Sequence, residues 1–161
     1  MREFKNEPLT DFKDKANAER MRKAIEQVRG QLGRTYPLII GNQEIRTEPT
    51  FDSINPANPD QVVGRFPKAT VELANKAIEA ADAAFESWSR VSPQDRAEII
   101  FKAADIMRQR KFELSAWLVF EVSKSWAEAD ADIAELIDFA DYYAYQMVKL
   151  AGPQPVVPFP G

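Results

Sequence analysis

The sequence predicts an α+β fold, mainly helical, with a small antiparallel β hairpin and edge sheet. Three observations predict it. Apolar residues recur at helical spacing through most of residues 69–150, β-branched and aromatic residues cluster in residues 35–68, and a Gly-Asn turn signal lies inside that cluster. With 161 residues, 45% of them hydrophobic and 29% charged, the chain has the composition of a soluble globular domain with its own core.

Residues 1–15 read as an extended arm. The helix of residues 16–34 comes next, carried by the stripe Met21, Ala24, Ile25, Val28 and Leu32, with Gly33 as its stop. Tyr36-Pro-Leu-Ile-Ile40 and Gln43-Glu-Ile-Arg46 flank Gly41-Asn42, which predicts a hairpin. Phe51–Asn55 and Gln61–Phe66 read as further edge strands of a small antiparallel sheet, interrupted by Pro56, Asn58, Pro59 and Asp60.

Thr70 is the expected N-cap of the next helix, and Ala74, Ala77, Ile78, Ala81, Ala84, Phe85 and Trp88 form its apolar stripe, the cleanest in the chain. Ser92 and Pro93 open another helix as N-cap and N1, with Asp95 where a capping box has glutamate. Its stripe, Ala97, Ile100, Phe101, Ala104 and Met107, is broadened by Ile99, Ala103 and Ile106, which predicts cover on more than one side. The basic run Arg108–Lys111 reads as a solvated helix end. Leu114, Trp117, Leu118 and Val122 read as the apolar side of a second helix or a continuation of the first. The last segment, 151–161, carries four prolines and reads as an extended crossover.

The stretch Glu121–Met147 says most about function. At about 100° per residue, Ala129, Ile133, Leu136, Ile137, Ala140, Ala144 and Met147 share one apolar side. Glu128, Glu135, Phe139 and Tyr142 lie opposite. On spacing alone two readings stand. One is a solvated acidic face with surface aromatics, favoured because carboxylates are rarely buried unless paired. The other is a second, partly buried face. Glu128, Asp132 and Glu135 have a spacing that could serve a carboxylate pair or a hard cation, but no second constellation elsewhere joins them. The acidic run Glu121, Glu128, Asp130, Asp132, Glu135, Asp138 and Asp141 reads as a solvated or partner-facing surface, and Lys124 as a solvated turn lysine.

The formal net charge of −4 argues against a nucleic-acid partner. No apolar run is long enough for a membrane span, and the N-terminus lacks a signal-type apolar segment, so a cytoplasmic protein is expected. The chain has no cysteine and no histidine. Disulfides, thiolate nucleophiles, imidazole bases and zinc sites with nitrogen or sulfur ligands are therefore excluded within it. The glycines stand apart, with neither G-x-G-x-x-G nor a P-loop.

Several strings resemble the N-terminal part of the aldehyde dehydrogenase superfamily, within the branch that oxidises L-glutamate γ-semialdehyde, the 1-pyrroline-5-carboxylate dehydrogenases. They are Phe4-Lys-Asn-Glu-Pro8, Gly33–Gly41, Ser53-Ile-Asn-Pro56, Val62-Val-Gly64, Ala77–Trp88, Ala116-Trp-Leu-Val119, and Glu121-Val122 through Ala129–Glu135 to Tyr143. The resemblance implies the N-terminal block of an α/β dehydrogenase fold. It also implies an NAD cofactor, a small aldehyde substrate and a homo-oligomeric whole enzyme acting in proline degradation. The family's cysteine nucleophile, general-base glutamate and cofactor strands lie beyond the proline-rich segment. The chain is thus expected to be a fragment, inactive without its C-terminal portion, with no catalytic or cofactor-binding residue of its own. A non-catalytic helical interaction module derived from the family is the alternative. By resemblance, Glu135 lines the aldehyde entrance, and Ser53, Ile54 and Glu121 match the neighbourhood of a structural monovalent cation. Ser123 stands where the family has glycine, so a positive φ there would strain it.

Overall fold

The computed structural model describes residues 3–156. The outer part of the proline-rich segment lies outside them, and residues 153–156 have no regular structure. The element order is α1 (Lys15–Arg29), β1 (Arg34–Thr35), β2 (Leu38–Ile40), β3 (Gln43–Ile45), β4 (Thr50–Ile54), β5 (Val62–Pro67), α2 (Val71–Trp88), α3 (Pro93–Gln109), α4 (Lys111–Val122) and α5 (Trp126–Ala151). The fold is mainly helical with small sheets, as the sequence predicts.

The caps show why the helices start where they do. Thr70 Oγ1 accepts from the Leu73 amide, and Ser92 Oγ from the Asp95 amide, satisfying N–H groups that the first turn leaves free. Ser125 and Glu128 form a reciprocal capping box at α5. There the Ser125 hydroxyl, and after it the Ser125 amide, hold the Glu128 carboxyl below its ordinary value. One end differs from expectation. Helix α1 stops at Arg29, not at Gly33. Gly33, at φ +76°, turns the chain into β1 and donates its amide to Val63 O.

The β region also differs in part. The hairpin β2–β3 forms in the expected register, Ile40 opposite Gln43, with Gly41 and Asn42 both at positive φ as a tight hairpin turn requires. The other sheet has the order β1-β5-β4 and is mixed: β4–β5 is antiparallel, but β1 runs parallel to β5. The rings of Tyr36 and Phe66 stack with centroids 5.5 Å apart and press on position 64, which is glycine. A Cβ there would lie 3.1 Å from Tyr36 Cε2 and 3.2 Å from the Phe66 ring, so any side chain would push the rings aside.

The core runs along α4 and α5. Met21, Ala24 and Val28 of α1 and Val63 of β5 pack on Ala116 and Phe120 of α4. Ala104 of α3 meets Ile133 and Ile137 of α5, and Ala97 and Phe101 meet Ala144. Three apolar expectations fail. The stripe of α2 covers no core in this chain: no residue of that helix is buried, and Ile78 is 68% and Phe85 64% exposed. Helix α3 is covered on one side only, with Ile99, Ile100 and Ile106 exposed. On α5, Leu136 and Met147 leave the core side, while Asp130 and Asp141 enter it.

Those aspartates correct the reading of the acidic run as mere surface. Asp130 accepts the Thr10 amide at 2.7 Å and the Thr10 hydroxyl at 2.6 Å. Asp138 accepts the Glu7 amide at 2.6 Å and Asn6 Nδ2 at 2.7 Å. The basic run is not a solvated end either. Lys111 is buried, donating to Pro8 O at 2.7 Å and pairing with Asp130 at 3.2 Å. Arg108 binds Glu7 at 2.6 Å and Asp141 at 2.7 Å. Burial works against the Arg108 charge, but the hydrogen bonds to Glu7 and Asp141 outweigh it and raise its pKa. The arm is therefore strapped to α3, α4 and α5 by paired charges, which is how buried ions are tolerated.

Candidate functional site

Two exposed or half-exposed features remain once the arm is in place, the first of them on α5. The first is an aromatic ladder. Phe139 and Tyr143 stack at 5.9 Å, Tyr142 meets Tyr143 edge-on at 5.8 Å, and Tyr142 meets Phe4 of the arm at 5.3 Å. Such offset and edge-on pairs are favourable geometries for aromatic rings. Glu135, one turn before Phe139, is exposed and makes no hydrogen bond or ion pair among the described residues. Members of the face that spacing groups thus separate: Tyr142 turns toward the arm, Phe139 toward a groove, and Glu135 stays open. Spacing gave Tyr143 no role, although its ring links the other two.

The groove beside this ladder encloses about 480 Å³ between the end of α2, α3 and α5. Trp88, Ile100, Leu136, Phe139, Tyr143 and Met147 line it, and Glu135 does not. Glu128, Asp132 and Glu135 do not act together. Glu128 is used by the N-cap, and Asp132 pairs with Lys124, which corrects the reading of Lys124 as a solvated lysine. Among the described residues no group of three or more acidic side chains is arranged to hold a metal ion.

The second feature lies where β4 meets the end of α4. Ser53 Oγ donates to Glu121 Oε1 at 2.9 Å, bringing together two residues distant in sequence. The β4–β5 register shifts between Ser53 and Ile54, and the Ile54 side chain is exposed. Beside them Ser123 ends α4 at φ 56°, in the left-handed region, and its Oγ donates to Asn55 Oδ1 at 3.3 Å. Asn55 in turn is fixed by the Ala57 amide and Gln61. The glycine-like conformation expected at Ser123 is thus present, accompanied by a hydrogen bond to Asn55 across the fold.

Known proteins share this fold and much of this sequence. The aldehyde dehydrogenase family model matches residues 44–159. The 1-pyrroline-5-carboxylate dehydrogenase of Geobacillus kaustophilus is 54% identical over 158 residues, which are 98% of this chain and 31% of that protein. A solved 1-pyrroline-5-carboxylate dehydrogenase from Thermus with bound NAD superposes with a TM-score of 0.93 at 44% identity, covering 100% of this chain and 31% of the other. Proline utilization A from Bdellovibrio bacteriovorus gives a TM-score of 0.93 at 43% identity, covering 99% of this chain and 17% of that one. The chain thus corresponds to an N-terminal block of these proteins and spans about a third of the length of the relatives named for the dehydrogenase. No helix among the described residues is long and apolar enough to cross a membrane. By sequence and by fold, the chain belongs to the aldehyde dehydrogenase family.

Proposed function

We propose that this chain is the N-terminal block of an NAD-dependent dehydrogenase that oxidises L-glutamate γ-semialdehyde to L-glutamate in proline degradation. In this reading it is inactive alone and works in the cytoplasm as part of a homo-oligomer. The observation that carries the reading is the 54% identity, extending from the arm through α5, to a relative named 1-pyrroline-5-carboxylate dehydrogenase. The chain has no cysteine, so a thiolate nucleophile would come from the portion of the enzyme that it does not span.

Glu135 is proposed to stand at the aldehyde entrance. Its exposure and lack of a partner support this, because the carboxylate is free to meet the polar end of a substrate. Ser53, Ile54 and Glu121 are proposed to contribute oxygens to a structural monovalent cation. The Ser53–Glu121 contact and the break in register beside it support that assignment, since hard cations take oxygen ligands. The residues here do not fit a dinucleotide cradle. Strand β5 runs into α2 through Lys68, Ala69 and Thr70, with no glycine-rich turn.

The test joins this chain to the remaining portion of the Geobacillus kaustophilus relative and monitors NADH formation with glutamate semialdehyde. Glu135→Ala in that fused protein is expected to raise KM several-fold while kcat changes less than twofold, because a residue that only binds contributes equally to ground and transition states. Unchanged kinetics would return Glu135 to a solvated surface.

A further inference from the structure

Arg96 stands out in the groove between α2, α3 and α5. It lies on the first turn of α3, among Trp88, Ile100, Phe139, Tyr143 and Met147. Its Nε is buried and has no hydrogen-bond partner, and its guanidinium enters no ion pair among the described residues. A guanidinium whose Nε–H is withdrawn from water without a partner is an incomplete arrangement, because a buried donor loses its bonds to water and gains none in return. Arginine is also the cation best shaped for a two-pronged carboxylate contact.

The surroundings make the gap larger. The groove is lined mostly by apolar atoms, and the stripe of α2 that ends at Trp88 has no buried residue, with Ile78 and Phe85 exposed. A contiguous apolar surface of this kind marks a missing partner. Relatives are about three times as long as this chain, so a large covalent neighbour exists in them to occupy it.

We propose that this groove seats an apolar segment from the remaining portion of the enzyme, and that a carboxylate on that segment closes on Arg96. The inference rests on the reading of the chain as an N-terminal block, and it adds the surface, the anchoring residue and the chemistry of what docks there. Aromatic rings around one arginine suit this role, since they exclude water from the ion pair and give it strength.

Hydroxyl-radical footprinting tests it, comparing this chain alone with the protein fused to the remainder of the Geobacillus kaustophilus relative. Trp88, Tyr143 and Met147 are expected to be labelled at least tenfold more slowly in the fused protein, while Met21, buried here, stays unlabelled in both. Arg96→Gln in the fused protein is expected to restore labelling at least threefold, and Arg96→Lys, which keeps the charge, to restore less. Equal labelling of the groove in chain and fusion would overturn the proposal, as would full protection in Arg96→Gln. Protection that instead grows with the concentration of the unfused chain would assign the groove to a second copy. Labelling of Met21 in the fusion would show that the two portions do not form one fold, and would equally overturn it. NADH formation is read separately: a protected groove in a fusion that does not oxidise glutamate semialdehyde would sink the substrate assignment and leave the docking surface standing.

Discussion

Ser123 shows how much a single position can disclose. A left-handed residue with a side chain carries strain of about 1–2 kcal/mol, and here one hydrogen bond to Asn55 at 3.3 Å offsets only part of it. Ser123→Gly is therefore expected to raise stability by about 0.5–1 kcal/mol, and Ser123→Val to lower it by about 2 kcal/mol, in urea unfolding. A lower midpoint for the glycine variant would contradict this. Two aspartates of α5 allow a second test. Asp130 is buried against Lys111, so Asp130→Asn should cost about 3 kcal/mol by leaving that buried ammonium only the more distant Glu7, at 4.0 Å, as a charge partner. Asp138 is more open and accepts two arm donors, so Asp138→Asn should cost about 1 kcal/mol. Urea midpoints in the reverse order would refute the strap between arm and helices. These carboxylates read as surface because the groups that bind them lie in the arm, more than a hundred residues away. The local signal available was position: Asp130 and Asp141 fall beside Ile137 on the helical wheel, inside the apolar side.

At the scale of elements, legibility depends on how local the cause is. The caps at Thr70 and Ser92 and the Gly41-Asn42 hairpin turn are determined within a few residues, and they form as predicted. Strand β1 leaves no trace in the pattern, because two residues carry no periodicity and pair only once β5 is present. The stripe of α2 is legible as apolar but not as bare, because sequence cannot say whether the covering surface lies in the same chain. A helix with no buried residue has little tertiary packing to hold it. In this chain alone, hydrogen exchange is expected to be faster across α2 than in the other four helices, by at least tenfold relative to α5. Equal protection in α2 and α5 would show that α2 is stabilised by something other than packing within the chain.

At the scale of the whole molecule, α4 and α5 form the spine, the arm straps its acidic side, and the aromatic side stands open. The open side carries Glu135, the Phe139–Tyr143 stack and the groove around Arg96, and α2 adds its own bare stripe. A chain with this distribution has a complete core on one flank and an unfinished surface on the other, which fits a block of a larger dehydrogenase. The family was legible from local strings, whereas the separation of Glu135 from the groove depends on how α3 and α5 pack, which no local string records. The most direct measurement is NADH formation from glutamate semialdehyde by the chain alone and by the chain fused to the remainder of its Geobacillus kaustophilus relative. The chain alone is expected to form none above background, and the fused protein to turn over. NADH formed by the 161-residue chain itself would contradict it.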